Sequence, residues 1–270
     1  GGSSWTAKSG SAFVLTGSAA GYSKFTSPMF GGFDGFDATE KDPLRNSKIT
    51  SSPTEVNDTI FYSLKKAIDV TSDADFLEYD LAAMPGITNT SLNTQLINAC
   101  EERADSLAII DLEGGYVPPH ENTLAETANV GDVEATVIKL KDLNINSSYG
   151  AAFYPWVKIR DTAANSMLYV PPSVVALGTF SSAQRKSAVW FAPAGFTRGG
   201  LSEGSAGLPV VGVRQRLTSA ERDRLYDANI NPIASFPSEG IVIFGQKTLQ
   251  VTRSALDRIN VRRLLIYLKK

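Results

Sequence analysis

The chain holds one histidine and one cysteine in 270 residues. A single thiol excludes an internal disulfide, and neither a thiolate cluster nor a His-based zinc site has enough ligands. The histidine, His120 in YVPPHEN, follows two prolines in a polar stretch and reads as a surface residue. A Ser–His–acid triad would have to be built on it, and no such arrangement is evident. Cys100 follows Leu92 and Leu96 at four-residue steps and reads as a small core hydrophobe, which fits a reducing compartment. Neither G-x-x-x-x-G-K nor G-x-G-x-x-G occurs, so phosphate chemistry has no support. No apolar run approaches the ~20 residues of a membrane helix. The opening GGSSWTAKSG is polar, unlike a leader, and lacks an initiator methionine, so a fragment or processed product is expected. Such a piece should be largely monomeric in dilute solution. A net charge of −2 argues against a nucleic-acid binder that relies on phosphate neutralisation.

What is present describes a globular chain with ample core, 43% hydrophobic and 20% charged, long enough for one large domain with a small satellite. Residues 1–50, rich in Gly, Ser, Thr and Asp, form a loop/β-rich segment with a strand candidate at 12–16, leading into a core at 51–270. Ser52, Pro53 and Glu55 fall at N-cap, N1 and N3 of a helix whose apolar stripe is Val56, Ile60, Leu64 and Ile68. Alternation follows: a strand at 76–84, a helix at 92–103, a buried strand at 107–112, a helix at 132–143, and strands at 149–159 and 167–170. Pro171-Pro172 opens a helix to about residue 185, and Thr218 with Glu221 forms a capping box for a helix to about residue 227. A buried strand at 241–244 and a helix carrying Leu256, Ile259, Leu264 and Leu268 close the chain. This order predicts an α/β fold, a mixed, largely parallel sheet flanked by helices on both faces. The Gly/Pro-rich stretches 113–131 and 193–209 resist assignment.

The closest approach to a catalytic motif is Gly200-Leu201-Ser202-Glu203-Gly204, which fits G-x-S-x-G. A nucleophile elbow needs a strand before Ser202 and a helix after it; FTRGG and SAGLP offer neither. Asp34 and Asp37 lack the alternating oxygen ligands of a calcium loop, and Asp34-Gly35 reads as a tight turn. No catalytic, cofactor or metal residue is assigned. Charge is uneven: from Arg214 onward 11 Lys/Arg face 5 Asp/Glu, a local +6, leaving −8 for the rest. Arg258, Arg262, Arg263, Lys269 and Lys270 make the last helix cationic on the side away from its leucines. They are expected to meet acidic surface on a neighbouring subunit. Charge reversal at Arg262 and Arg263 should then stop assembly without unfolding the chain. The aromatics Tyr154, Trp156, Trp190, Phe191 and Phe196 either fill the core or anchor contacts.

Four blocks carry a resemblance: GGFDG at 31–35, VPPSVVALGTFSSAQRKSAVWFAPAG at 170–195, NINPIASFPSEGIVIFGQKTL at 229–249, and INVRRLLIYL at 259–268. In order and spacing they resemble the core domain of contractile-tail sheath proteins. Gly32, Asp34, Gly35, Pro171, Pro172, Trp190, Pro193, Asn231, Pro232, Gly240, Gly245 and Asn260 fall on that pattern as structural positions. Asn229 stands where the pattern has Gly, and Phe244 and Lys247 replace Trp and Arg. The resemblance implies a core similar in architecture, not in chemistry, to subtilisin-type proteases. It also implies a structural subunit of the virion, assembled in the host cytoplasm as stacked hexameric rings forming a helical sheath, whose contraction drives an inner tube through the host envelope. Implied partners are further copies of the chain, the tail tube protein, and baseplate and tail terminator proteins, with no cofactor, nucleic acid or membrane insertion. A degenerate subtilase-like hydrolase and a soluble α/β binding module remain the alternatives.

Overall fold

Short polar residues that accept backbone N–H groups start four of the helices, and continuous apolar runs make the central strands. The computed structural model describes residues 39–270 apart from 41, 51–52, 54–57, 122–128, 203 and 205. Gly32, Asp34, Gly35, the 12–16 strand candidate, and the caps Ser52 and Glu55 therefore lie outside the described residues. Residues 40–270 form one compact unit.

Helix α1 (Thr59–Thr71) starts later than expected, because the Asp58 carboxylate accepts the Phe61 N–H and Asp58 itself is non-helical, with φ −142° and ψ 82°. Asn89 and Asp132 cap α2 (Thr90–Arg103) and α3 (Val133–Asp142) in the same way. Pro171 enters α4 (Pro172–Lys186), where the missing N–H of Pro172 removes a donor that would lack a helical partner. The single turn α5 (Gly195–Arg198) precedes α6 (Ser219–Asp227), which has the full Thr218–Glu221 capping box, and α7 (Ile259–Lys269) follows.

Five strands form the main sheet: β1 (Leu81–Ala83), β2 (Leu107–Ile110), β3 (Gly150–Tyr154), β7 (Ile230–Phe236) and β8 (Gly240–Ile243), side by side in that order. The first four run parallel and β8 is antiparallel, so the expected mixed, largely parallel sheet is present. Side chains alternate across it. Ala108, Ile110 and Ala152 pack beneath α1, α2, α3 and α6; Leu107, Ile109, Phe153 and Ile233 face α4 and α7. Burial on both faces is why these strands read as unbroken apolar runs. A second, antiparallel sheet holds β4 (Val157–Asp161) between β5 (Ser166–Val170) and β6 (Val210–Val213).

Three expectations are corrected. The strand at 76–84 shrinks to β1, because the Asp73 carboxylate accepts the Asp75 and Phe76 N–H groups and folds that stretch into a turn. The strand at 149–159 is two strands in different sheets, divided at Pro155, which has no N–H to give a ladder. Within 193–209, residues 199–201 run beside the outer edge of β8: Leu201 donates to Ile241 (2.7 Å) and Ile243 to Gly199 (2.9 Å). That apparently featureless stretch shields a sheet edge.

The same stretch then presses on α4. A Cβ at Gly178 would lie 2.0 Å from the Ala206 carbonyl oxygen. Gly→Ala inside a helix ordinarily stabilises by roughly 0.5–1 kcal/mol. Gly178→Ala should instead destabilise by about 1–3 kcal/mol, as overpacking does. Thermal unfolding would show it, and an unchanged or raised midpoint would refute the close contact.

Candidate assembly surface

Helix α7 was expected to show its charges to solvent. Its inward stripe is instead Ile259, Arg262, Arg263 and Ile266, at i, i+3, i+4 and i+7. Arg262 is 8% and Arg263 4% exposed. The Arg262 guanidinium lies 4.0 Å from the Tyr149 ring centroid and donates to Ser148 Oγ; that of Arg263 lies 5.1 Å from the Phe180 ring and donates to Gln184 Oε1 at 2.9 Å. Burial lowers the Arg263 pKa, with the charge of Asp80 acting in the opposite direction. These arginines are core groups seated on aromatic faces.

The other three basic residues are also engaged within the chain. Lys269 donates to the Arg103 carbonyl (2.8 Å) at the C-terminus of α2, where a cation meets unpaired carbonyls. Lys270 donates to the Tyr79 carbonyl (3.1 Å) and to Asp80 Oδ1 (2.6 Å). Arg258 pairs with Asp257 (3.2 Å) and donates to the Tyr226 hydroxyl, beside Lys247, whose Nζ sits 3.9 Å from the same ring. Burial, then the Arg258 charge, holds the Lys247 pKa below its ordinary value. What α7 turns outward is Leu265, Tyr267 (59% exposed) and Leu268 (67%), so Leu268 leaves the apolar core stripe assigned to it. The cationic outer face is thereby corrected to a partly apolar one.

The structural positions of the pattern gain specific reasons. The buried Asn231 carboxamide donates to the carbonyls of Ala152 (3.0 Å) and Lys247 (2.8 Å) and accepts the Lys247 N–H (2.6 Å). A Cβ on Gly245 would come within 2.9 Å of that carboxamide and 3.0 Å of Pro232 Cδ. Gly240 has φ +72°, and a Cβ there would meet Ser202 Oγ at 2.6 Å. That hydroxyl accepts the Ile241 N–H, so the serine of the G-x-S-x-G match supports β8. Asn260 donates to the Trp190 carbonyl (3.2 Å), tying α7 to the turn before the buried Pro193. Asn229, with φ 63°, occupies a left-handed exit from α6 that suits Gly or Asn.

Sequence reasoning missed the role of Asp111, which directly follows β2 and is fully buried. Its carboxylate accepts from Ser173 Oγ (2.6 Å), Ser173 N (3.1 Å) and Gly86 N (2.9 Å), joining β2 to the start of α4. Burial, outweighing those three hydrogen bonds, pushes its pKa from 3.8 to about 6. An acidic residue closing the apolar run LAIID was the available signal. His120 Nε2 lies 3.2 Å from Asp42 Oδ2, while Glu121 accepts N–H groups of Asn46 and Ser47; together these groups fasten the turn Asn46–Lys48. Cys100 is fully buried, as expected.

Aromatic residues divide cleanly. Tyr154 and Trp156 are core, whereas Trp190, Phe191, Phe196 and Phe244 are exposed. Phe196 and Phe244 pack with Phe236 in a surface cluster, its ring centroids 5.1–5.6 Å apart.

Two tests follow from the buried charges. Arg262→Glu or Arg263→Glu places a carboxylate among aromatic and apolar groups and should cost about 3 kcal/mol or more in chemical denaturation. A stable, folded double variant would restore the outward reading. Asp111 has its folded pKa raised, so its contribution is complete below the unfolded value of 3.8 and is lost as pH rises towards about 6. Asp111→Asn should gain on the order of 2–3 kcal/mol relative to wild type between about pH 4 and pH 7. Parallel pH profiles would contradict that.

No family model matches the chain. It is similar to the tail sheath protein of Vibrio phage KVP40, 36% identical over 129 residues, which cover 48% of this chain and 18% of that protein. The tail sheath protein of Enterobacteria phage T4 is 34% identical over 132 residues, covering 47% and 18%; that of Salmonella phage ViI is 30% identical over 174 residues, covering 62% and 26%. The chain thus spans 18–26% of these curated relatives' own length. In fold it is similar to a chain of the PVC sheath complex of an extracellular contractile injection system in its contracted state. The TM-score is 0.52 at 20% identity, over 72% of this chain and 46% of that one. A chain of the anti-feeding prophage baseplate gives 0.51 at 21% identity, over 81% and 49%. The sequence matches carry one name in three phages, and over the matched part of its length this chain is similar to tail sheath proteins, with a fold similar to that of a chain from a contractile assembly.

Proposed function

We propose that the chain is a structural part of a contractile tail sheath subunit, with residues 1–50 leading into a core at 51–270. Copies assemble as stacked hexameric rings around an inner tube and contract to drive it through a host envelope. On this reading the protein belongs to the virion tail and is assembled in the host cytoplasm. It meets other copies of itself and the baseplate, together with the tail tube and tail terminator proteins. The observation that carries the reading is the 36% identity over 129 residues to a tail sheath protein.

The chemistry of the interior supports a mechanical role over a catalytic one. Asn231, Asp111, Arg262 and Arg263 each join one element to another. The Asp111–Ser173 pair resembles two-thirds of a hydrolytic site, yet both residues are fully buried and the single histidine is bonded to Asp42. Ser202, the other nucleophile candidate, accepts a backbone N–H. A shallow depression of ≈ 580 Å³ beside Asp132 and Glu221 has its Glu134 and Arg224 paired with each other at 2.6 and 2.9 Å. Neither of these two is left to act as an unpaired acid or base there.

Negative-stain microscopy of the protein expressed from its complete reading frame should show tubes of uniform width. Particles of monomer or dimer size at every concentration would sink the proposal.

A further inference from the structure

The surface carries two unlike features on opposite edges of the main sheet. At the β1 edge, the turn before that strand lifts Phe76 into solvent with 71% of its surface exposed, among Asp73, Asp75 and Glu78. The turn is built, not frayed: the Asp73 carboxylate accepts N–H groups from Asp75 (2.9 Å) and Phe76 (3.4 Å), and this bonding holds the ring outward. Lys270 approaches Glu78 (3.7 Å) and Asp80 at the base of the turn, while Asp73 and Asp75 have no cationic partner among the described residues. At the β8 edge lies the Phe196–Phe236–Phe244 cluster, continued by the stacked pair Trp190 and Phe191. Two guanidiniums sit on its rings, Arg222 at 5.3 Å from the Phe236 centroid and Arg198 at 4.9 Å from that of Phe191. Neither forms an ion pair among the described residues; Arg222 donates to the Leu217 carbonyl (3.3 Å) and Arg198 to that of Ala192 (3.0 Å), with Glu221 and Asp223 flanking Arg222 in sequence and Glu239 in the β7–β8 turn.

We infer that these are the two halves of one contact between copies of this chain: the Phe76 turn of one copy seats on the Phe196–Phe236–Phe244 cluster of the next. The ring replaces water on an apolar surface, and the carboxylates of Asp73 and Asp75 face Arg222 and Arg198. Exposed aromatics with a charged rim are the usual composition of a contact centre. Opposite charge on the two rims favours this pairing over knob on knob or socket on socket, each of which sets like charges together. Because the halves occupy opposite edges of one sheet, a copy cannot satisfy its own, and the contact is head-to-tail. Such contacts propagate into rings or helices. The inference rests on the self-assembly proposed above and names a surface that performs it.

The test replaces Phe76 with the photo-crosslinker p-benzoylphenylalanine in the protein expressed from its complete reading frame. The protein is irradiated both as tubes and as soluble material at about 1 mM, a concentration that populates a weak contact. The expected crosslinks reach Phe191, Phe196, Phe236 or Phe244 of a second copy. Crosslinks elsewhere only, or none in either material, overturn the pairing. Tubes that lack the expected crosslink would do so while leaving the sheath reading intact. A wild-type protein that never forms tubes counts against the sheath reading, and the soluble sample still decides the contact. Asp75→Lys and Arg222→Asp should each weaken association about tenfold, and the two combined should recover most of it. Single variants that associate like wild type, or a combination as weak as both losses multiplied, also overturn it. Asp75 is exposed and Arg222 is half-buried against the Phe236 ring; unchanged thermal midpoints of the single variants exclude folding as the cause.

Discussion

One buried carboxamide fixes the middle of this fold. Asn231 has two N–H donors and a carbonyl oxygen, and the structure meets them with the carbonyls of Ala152 and Lys247 and the N–H of Lys247. β3, β7 and the segment after β8 are thereby joined at one point inside the sheet. Apolar packing alone would define this register weakly, since a two-residue slip returns every side chain to its own face. A polar group that loses its partners when the strands slip makes the wrong register expensive. Gly245 is part of the same constraint, because any Cβ there would displace the carboxamide. The path from Gly245 to α7, and so the inward aim of Arg262 and Arg263, depends on this node.

Where chemistry is local, the sequence could be read. The Thr218–Glu221 box closes on itself within four residues, and the helix it opens lies where that motif predicts. β2 was visible as a short continuous apolar run, since burial on both faces removes any alternation. The expected strand at 76–84 failed for an equally local reason: Asp73 captures two N–H groups before they can enter a ladder, leaving Phe76 and Leu77 in solvent. The division at Pro155 had a visible cause, yet nothing nearby told that the two halves would join different sheets. The cover that residues 199–201 give to β8 was not legible either, because it depends on residues forty positions away.

Helix α7 shows the limit most plainly. Two stripes can be drawn on it, and hydrophobicity chooses the one through Leu264 and Leu268. The fold uses the other, 259–262–263–266, because Tyr149 and Phe180 present ring faces and Ser148 and Gln184 present acceptors where the guanidiniums arrive. Arginine is weakly hydrated for a cation and has a long apolar stem, so such a seat costs less than it would for lysine. A count of charges along a helix contains no information about those waiting surfaces. Asp111 is the same lesson with the opposite sign, a carboxylate held without a cation by Ser173 and the backbone of α4.

Turning the arginines inward changes what a neighbouring molecule would meet. The basic excess after Arg214 is largely engaged inside the chain, while Trp190, Phe191, Phe196, Phe244 and Tyr267 are left exposed. Hydrophobic contact is non-directional and roughly proportional to area, whereas an ion pair loses its energy within a few ångströms of misplacement. On the sheath reading, a subunit has to keep hold of its neighbours while exchanging one packing for another. Rings that can slide over rings permit that exchange, and a small number of rim charges suffices to define the two end positions. A surface bonded mainly by buried ion pairs would resist the intermediate geometries, because each would strand desolvated charges. The arrangement found here, cations seated on internal aromatics and aromatics left outside, is the one that keeps such movement inexpensive.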